Sequence, residues 1–260
     1  IQFRILNRSK GHAVWSSRVQ IDRLMYLKYM QNVIKKIKNL DLLEGSVREI
    51  IVKNGIAKGV KLTNNVSIKS KTIVLAPGTF LNALIHIGLT HMPGGRLGDA
   101  PSLGLSENLK SFGFNVSRLK TGTTARLDGR TIRFSKLKKQ LGEDPIVPFS
   151  FSTEKINRIQ AACHITYTNK KTHQIIRDNL DRSPLYTGKI RSTGVRYCPS
   201  IEDKIVRFGD RDRHQIFLEP EGLKTNQYYP NGISTSLPLD VQLKMIRSII
   251  GLEKAEILVP

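Results

Sequence analysis

TIVLAPGTF, residues 72–80, is a continuous apolar run that stops on Pro77-Gly78. A short run with Ile73 and Val74 inside it and turn residues after it reads as a fully buried strand of a parallel sheet. That reading sets the expected class as α/β. In open α/β sheets ligands bind outside the carboxyl ends of the strands, so the APGTF turn becomes a candidate ligand neighbour. A plain buried strand followed by a turn accounts for the same residues.

Upstream, SVREIIV (46–52) and AKGVKL (57–62) flank Asn54-Gly55, a strong hairpin signal. From Val19 to Leu40, apolar residues at Leu27, Met30, Ile34 and Ile37 keep helical spacing, with lysines on the other faces. Downstream, MPGGRLGDAPS (92–102) is a glycine-rich loop in which Gly94, Gly95 and Gly98 let backbone amides approach an anion. It is neither a G-x-G-x-x-G fingerprint nor a P-loop, and an ordinary loop fits it equally. A helix is expected next, with Leu105, Leu109 and Phe112 inward and Gly113 as its stop.

After RLKTGTTARLDGRTIRF (118–134) turn signals multiply, and a second module is expected from about residue 121. Within it TNKKTHQIIRDNL (168–180) reads as a capped helix and HQIFLEP (214–220) as a strand. Beyond Pro238 a helix should bury Val241, Met245 and Ile249 and end before Gly251.

The chain has 260 residues, 39% of them hydrophobic, which suits one large or two modest folded units. No apolar run is long enough to cross a bilayer, and no signal peptide is evident at the start. Two distant cysteines, Cys163 and Cys198, make neither a disulfide scaffold nor a zinc site; a reducing compartment, the cytoplasm or an organelle matrix, is expected. The 42 Lys+Arg against 21 Asp+Glu give +21, which favours a polyanionic partner such as nucleic acid. Lys120, Arg126, Arg130, Arg133, Lys136, Lys138 and Lys139 form the densest basic run. It is read either as a phosphate-contacting face or as a solvated one.

GVRYCPSIEDKIVRF (194–208) resembles the signature of the MnmG (GidA) family of tRNA-modifying flavoproteins. Further segments agree in order, among them LNRSKGHAVWSSRVQIDR (6–23), GTFLNALIHIG (78–88), RLKTGT (118–123), NLDRSPLY (179–186) and NGISTSLPLDVQ (231–242). The resemblance covers essentially the whole chain. Val195, Thr124-Ala125 and Ala83 depart from the family's usual residues. The family's amino-terminal G-x-G-x-x-G turn, a further cysteine and its carboxyl-terminal helical domain have no counterpart here. The chain is therefore expected to be a central region. Residues 1–120 would be part of an FAD-binding Rossmann-like domain of the glutathione-reductase type, and 121–260 an inserted α/β domain contacting NADH and tRNA.

The resemblance implies FAD, NADH and a folate one-carbon donor, acting with an MnmE-type GTPase on C5 of the wobble uridine of tRNA, in a homodimer without membrane contact. For FAD it points to Val47, through backbone atoms, and Ser102, through its hydroxyl. A strand valine and a helix N-cap serine are the plain readings of the same residues. For NAD it points to Gly194, Val195, Arg196, Tyr197, Cys198, Pro199, Ser200, Ile201, Glu202, Asp203, Lys204, Ile205, Val206, Arg207 and Phe208. Cys198 is the candidate catalytic residue: C5 of uracil becomes nucleophilic once a thiolate adds to C6, and Arg196 and Lys204 favour the thiolate. A packed core cysteine, or one that only shapes a pocket, is the alternative. A fragment that binds tRNA or NADH without catalysis remains the competing function. An enzyme acting on small molecules fits the charge poorly.

Overall fold

The computed structural model describes residues 1–190, 192–194 and 199–260. The chain opens with strand β1 (Gln2–Leu6) paired antiparallel to β2 (Ser16–Gln20). Helix α1 (Arg23–Lys35) follows, where the Asp22 side chain caps the Met25 amide at 2.9 Å. It is shorter than the span from Val19 to Leu40 and buries no residue.

A three-stranded antiparallel sheet comes next, from β3 (Val47–Lys53), β4 (Ile56–Leu62) and β5 (Ser67–Lys69). Its first turn is Asn54-Gly55 with φ of 51° and 74°, the positive pair that a two-residue hairpin turn requires. Gly59 sits at a register irregularity, and a Cβ there would lie 2.1 Å from the Ile68 carbonyl oxygen. The hairpin β6 (Leu84–Ile87) and β7 (Thr90–Pro93) precedes helix α2 (Leu105–Ser111). As expected, Leu105 is buried and Gly113, at φ 87°, ends the helix; Phe112 is instead exposed.

TIVLAPGTF does not form the expected strand. A strand needs a hydrogen-bonded neighbour on at least one edge, and none of the sheets among the described residues contains 72–80. Val74 is 91% exposed. Only the turn at Gly78, with φ 61°, is as the sequence suggests.

Beyond this point lie β8 (Leu119–Lys120), β9 (Arg126–Asp128), β10 (Lys138–Gln140), β11 (Cys163–Tyr167) and helix α3 (Lys170–Arg177). They are followed by β12 (Thr193–Gly194), α4 (Ile201–Arg207), β13 (Gln215–Pro220), β14 (Gln227–Asn231), α5 (Leu239–Arg247) and β15 (Ile257–Val259). Six of these strands make one antiparallel sheet in the order β10-β11-β13-β14-β9-β15. Alternate residues Ile216 and Leu218 of β13 are fully buried in one cluster with Ile176 of α3, Ile201 and Ile205 of α4, and Val241, Met245 and Ile246 of α5. Each such side chain contributes about 1.5–3 kcal/mol of burial. The helices keep their place through local signals: Asn169 and Ser200 each close a capping box, and Ser248 is the C-cap of α5, ahead of Gly251 at φ 83°.

The first hairpin docks on this sheet, not on its sequence neighbours. Gln2 donates to the Gln140 and Ala161 carbonyls at 2.9 and 3.1 Å, and Arg18 pairs with Glu219 at 2.9 Å. Where α3 meets β13, His173 hydrogen-bonds Thr168 at 2.8 Å, and its ring lies 5.4 Å from that of His214.

Burial holds the imidazoles of His164, His173 and His214 below the ordinary 6.5. Lys139 adds to this at His164, Arg177 at His173, and His173, Lys204 and Arg211 at His214; Asp212 opposes it at His173. Below pH 6.5 the unfolded chain takes up protons that the folded state resists, so this contribution is complete above that pH and lost as pH falls through it. Denaturant midpoints should therefore be lower at about pH 5.5 than at about pH 7.5; equal or higher midpoints at the acid pH would contradict the burial of the three rings.

Candidate functional site

A cleft of about 640 Å³ opens between the first strand pair of the small sheet and the irregular segment 73–77. Val47 and Val60 form one wall, Ile73, Val74, Leu75, Ala76 and Pro77 the other, and Leu81, Ser102 and Leu105 the end. The structure thus brings Val47 and Ser102, far apart in sequence, onto one surface. Ile73, Val74, Leu75, Ala76 and Pro77 of the apolar run line this cleft while most of them stay exposed. Ser102 is held by its backbone, since its carbonyl accepts from the Asn82 amide at 2.8 Å and it bridges Leu81. It does not cap α2, whose N-cap is Gly104 at φ 93°. The lining is apolar apart from Glu44, Ser46, Ser102 and backbone, and it contains no cation. Such a surface suits a flat, uncharged ring. In the glycine-rich loop Arg96 pairs with Asp99 at 3.1 Å, both side chains more than half exposed.

The second group of residues surrounds the first turn of α4. Ser200 caps the helix and Asp203 reciprocates, so both are occupied in holding the turn. Glu202 is fully buried: its Oε1 accepts from the Thr235 hydroxyl at 2.8 Å and the Ser236 amide at 3.3 Å. Lys204 donates to the Gly232 carbonyl at 2.7 Å, and Ile201 and Ile205 are buried in the core. Val206, Arg207 and Phe208 are exposed, with Arg207 lying 3.9 Å from Asp203 and Arg211 stacked 5.2 Å from the Phe208 ring. Pro199 leads into the helix, and Gly194 pairs alongside Lys120 in parallel register. Val195, Arg196, Tyr197 and Cys198, the centre of the sequence-predicted stretch, lie outside the described residues.

Two segments join this helix to the rest of the molecule, and the sequence reading had not singled out their key residues. Tyr186 faces α4, and partial burial with the nearby Asp203 and Glu202 carboxylates pushes its phenol up to about 12. Residues 234–236 bond three ways: the Ile201 amide donates to Ser234, the Thr235 amide to Thr123, and the Gly88 amide to Ser236, at 2.8, 2.8 and 2.7 Å. Both segments fall in quoted stretches, NLDRSPLY and NGISTSLPLDVQ; only their polar residues inside otherwise structural runs could have marked them.

Three of the seven residues of the basic run carry acidic partners. Arg126 pairs with Glu221 at 2.7 Å, Arg130 with Asp128 at 2.6 Å and Lys136 with Glu253 at 3.2 Å. Lys120 is buried, which leaves Arg133, Lys138 and Lys139 exposed. The last two lie on the edge strand β10, where lysines also discourage pairing with other chains.

A family model described as "Glucose inhibited division protein A" matches residues 1–260. The chain is 57% identical over 260 residues to the tRNA uridine 5-carboxymethylaminomethyl modification enzyme MnmG of Thermodesulfovibrio yellowstonii, covering 100% of this chain and 42% of that protein. It is 56% identical to the enzyme of the same name from Geobacter sulfurreducens, with the same coverage. Its fold superposes on form I of Aquifex aeolicus GidA with a TM-score of 0.92 and 52% identity, covering 100% of this chain and 44% of that one. The chain thus spans about two fifths of the length of these relatives, and the α/β class expected from the sequence holds.

Cys163 contrasts with the candidate thiol. It is buried on β11, its Sγ donates to Gln20 at 3.2 Å, and burial, with Glu219 nearby, pushes the thiol up to about 11. Native protein at about pH 8 should leave Cys163 unalkylated by iodoacetamide until denaturant is added, as peptide mass mapping would report. Rapid native labelling at Cys163 would contradict its placement.

Proposed function

The chain belongs to the glucose inhibited division protein A family, and on that premise we propose that it is the central part of an FAD-dependent enzyme that modifies C5 of the wobble uridine in tRNA. The observation that carries the reading is the apolar cleft that unites Val47 and Ser102. Its lack of a cation fits the adenine end of the flavin nucleotide, with the Ser102 hydroxyl free to donate or accept. When bound, the flavin supplies electron transfer from NADH to a one-carbon unit delivered by a folate. Residues 1–120 belong in this reading to the flavin-binding unit and 121–260 to the unit that meets NADH and tRNA, with the stretch 194–208 taking the nicotinamide dinucleotide. An MnmE-type GTPase partner, a homodimer and a cytoplasmic setting complete the proposal.

Cys198 is assigned the covalent step. Its thiolate adds to C6 of the uracil ring, the electron pair moves to make C5 nucleophilic, and C5 bonds to the incoming carbon. Loss of the C5 proton and expulsion of the thiolate then restore the ring and the free cysteine. Arg207 and Lys204 keep positive charge on α4, the helix that follows this cysteine.

Cys198→Ala in the intact protein tests the assignment. Wobble-uridine modification, counted by mass spectrometry of the tRNA nucleosides, should fall by about 100-fold or more. Flavin content should remain as in the wild type. Undiminished modification would place the nucleophile elsewhere.

A further inference from the structure

Among the described residues, Lys120 is the one lysine whose ammonium is buried without a hydrogen-bond partner. A buried, unpaired cation is strongly unfavourable, so this position calls for an anionic partner. The location is specific. Lys120 pairs with Gly194 in the parallel β8–β12 register, at the start of the stretch assigned to the dinucleotide. Two residues on, a Cβ at Gly122 would lie 3.0 Å from the Ser234 side chain, so this strand is pressed against residues 234–236. Thr123 accepts from the Thr235 amide there, and the Thr235 hydroxyl donates to Glu202.

Glu202 shows the complementary deficit. Its Oε1 is satisfied, while Oε2 is buried without a donor. No ion pair joins Lys120 to Glu202 among the described residues. One group lacks an acceptor and the other a donor, on segments that the Thr123–Thr235 bridge holds together. A ribose phosphate offers both, an oxyanion for the ammonium and a hydroxyl for the carboxylate. A bare RNA backbone face does not require burial of the lysine, and the exposed Arg133, Lys138 and Lys139 already offer that kind of contact.

We propose that Lys120 binds a phosphate group of a nucleotide ligand, with Glu202 Oε2 accepting from its sugar hydroxyl. The choice of ligand rests on the reading that 194–208 takes a nicotinamide dinucleotide; the oxyanion site itself does not. Lys120 is then withdrawn from the basic surface and becomes a binding residue.

The test uses the intact protein as wild type, Lys120→Met and Lys120→Arg, with inorganic pyrophosphate, NADH and tRNA as separate probes. Pyrophosphate should raise the melting temperature of the wild type but not of Lys120→Met. NADH should bind about tenfold more weakly to Lys120→Met, with recovery in Lys120→Arg. Affinity for tRNA should change by no more than about twofold, because one buried lysine lies outside the phosphate-tracking surface. Without ligand, Lys120→Met should melt at or above the wild type, since it removes a buried unpaired charge. If the wild type ignores NADH but its pyrophosphate response depends on Lys120, the anion site stands and the dinucleotide reading falls. The proposal is overturned if Lys120→Met keeps the pyrophosphate response and NADH affinity, if only tRNA binding weakens, or if the unliganded variant melts lower than the wild type.

Discussion

Residues 234–236 are the constraint on which the arrangement of both sites depends. Three successive residues bond to backbone groups from three different places: the start of α4, Thr123 between β8 and β9, and the turn of the β6–β7 hairpin. The buried carboxylate of Glu202 fixes this segment from the side through the Thr235 hydroxyl and the Ser236 amide. A carboxylate in a dry setting that accepts two such bonds holds geometry firmly, because every alternative leaves a charge without partners. The hairpin it restrains continues into the glycine-rich loop and Ser102, at the end of the apolar cleft. The apolar cleft and the helix following Cys198 are therefore set in one frame by a few backbone hydrogen bonds.

Local chemistry was legible in the sequence wherever a few adjacent residues decide the outcome. Asn54-Gly55 made its hairpin, Asn169 capped α3, and Gly113 ended α2, since each depends on backbone angles or on a cap within one turn. TIVLAPGTF was not legible in the same way. An apolar run predicts burial, but here only Ile73 is half-buried and the other residues of 72–80 are exposed, because no neighbouring strand covers them. Phe112 illustrates the same limit, for helical spacing assigns a face without saying what covers it. The docking of β1–β2 onto a sheet more than a hundred residues away, through Gln2 and Arg18, has no local signal at all.

The candidate site divides along the same line. Motif order located 194–208, Val47 and Ser102, and the structure unites the latter two, while charge alone left open which residues of the basic run carry partners. Its arginines carry mostly local partners, Glu221 and Asp128 among them, that composition sums cannot reveal. A net charge of +21 still leaves the surface strongly positive, so the polyanion expectation rests on the whole molecule and not on that run. Burial separates Lys120 from its neighbours in sequence, and only three-dimensional packing could expose the difference.

The frame held by residues 234–236 is tested most directly by amide hydrogen exchange in the intact protein carrying Glu202→Ala. Removing the carboxylate should speed exchange at Thr235 and, through the Ser236 carbonyl, at Gly88, while the core strand β13 stays protected. Faster exchange confined to Thr235, with Gly88 as slow as in the wild type, would contradict the coupling between the two sites.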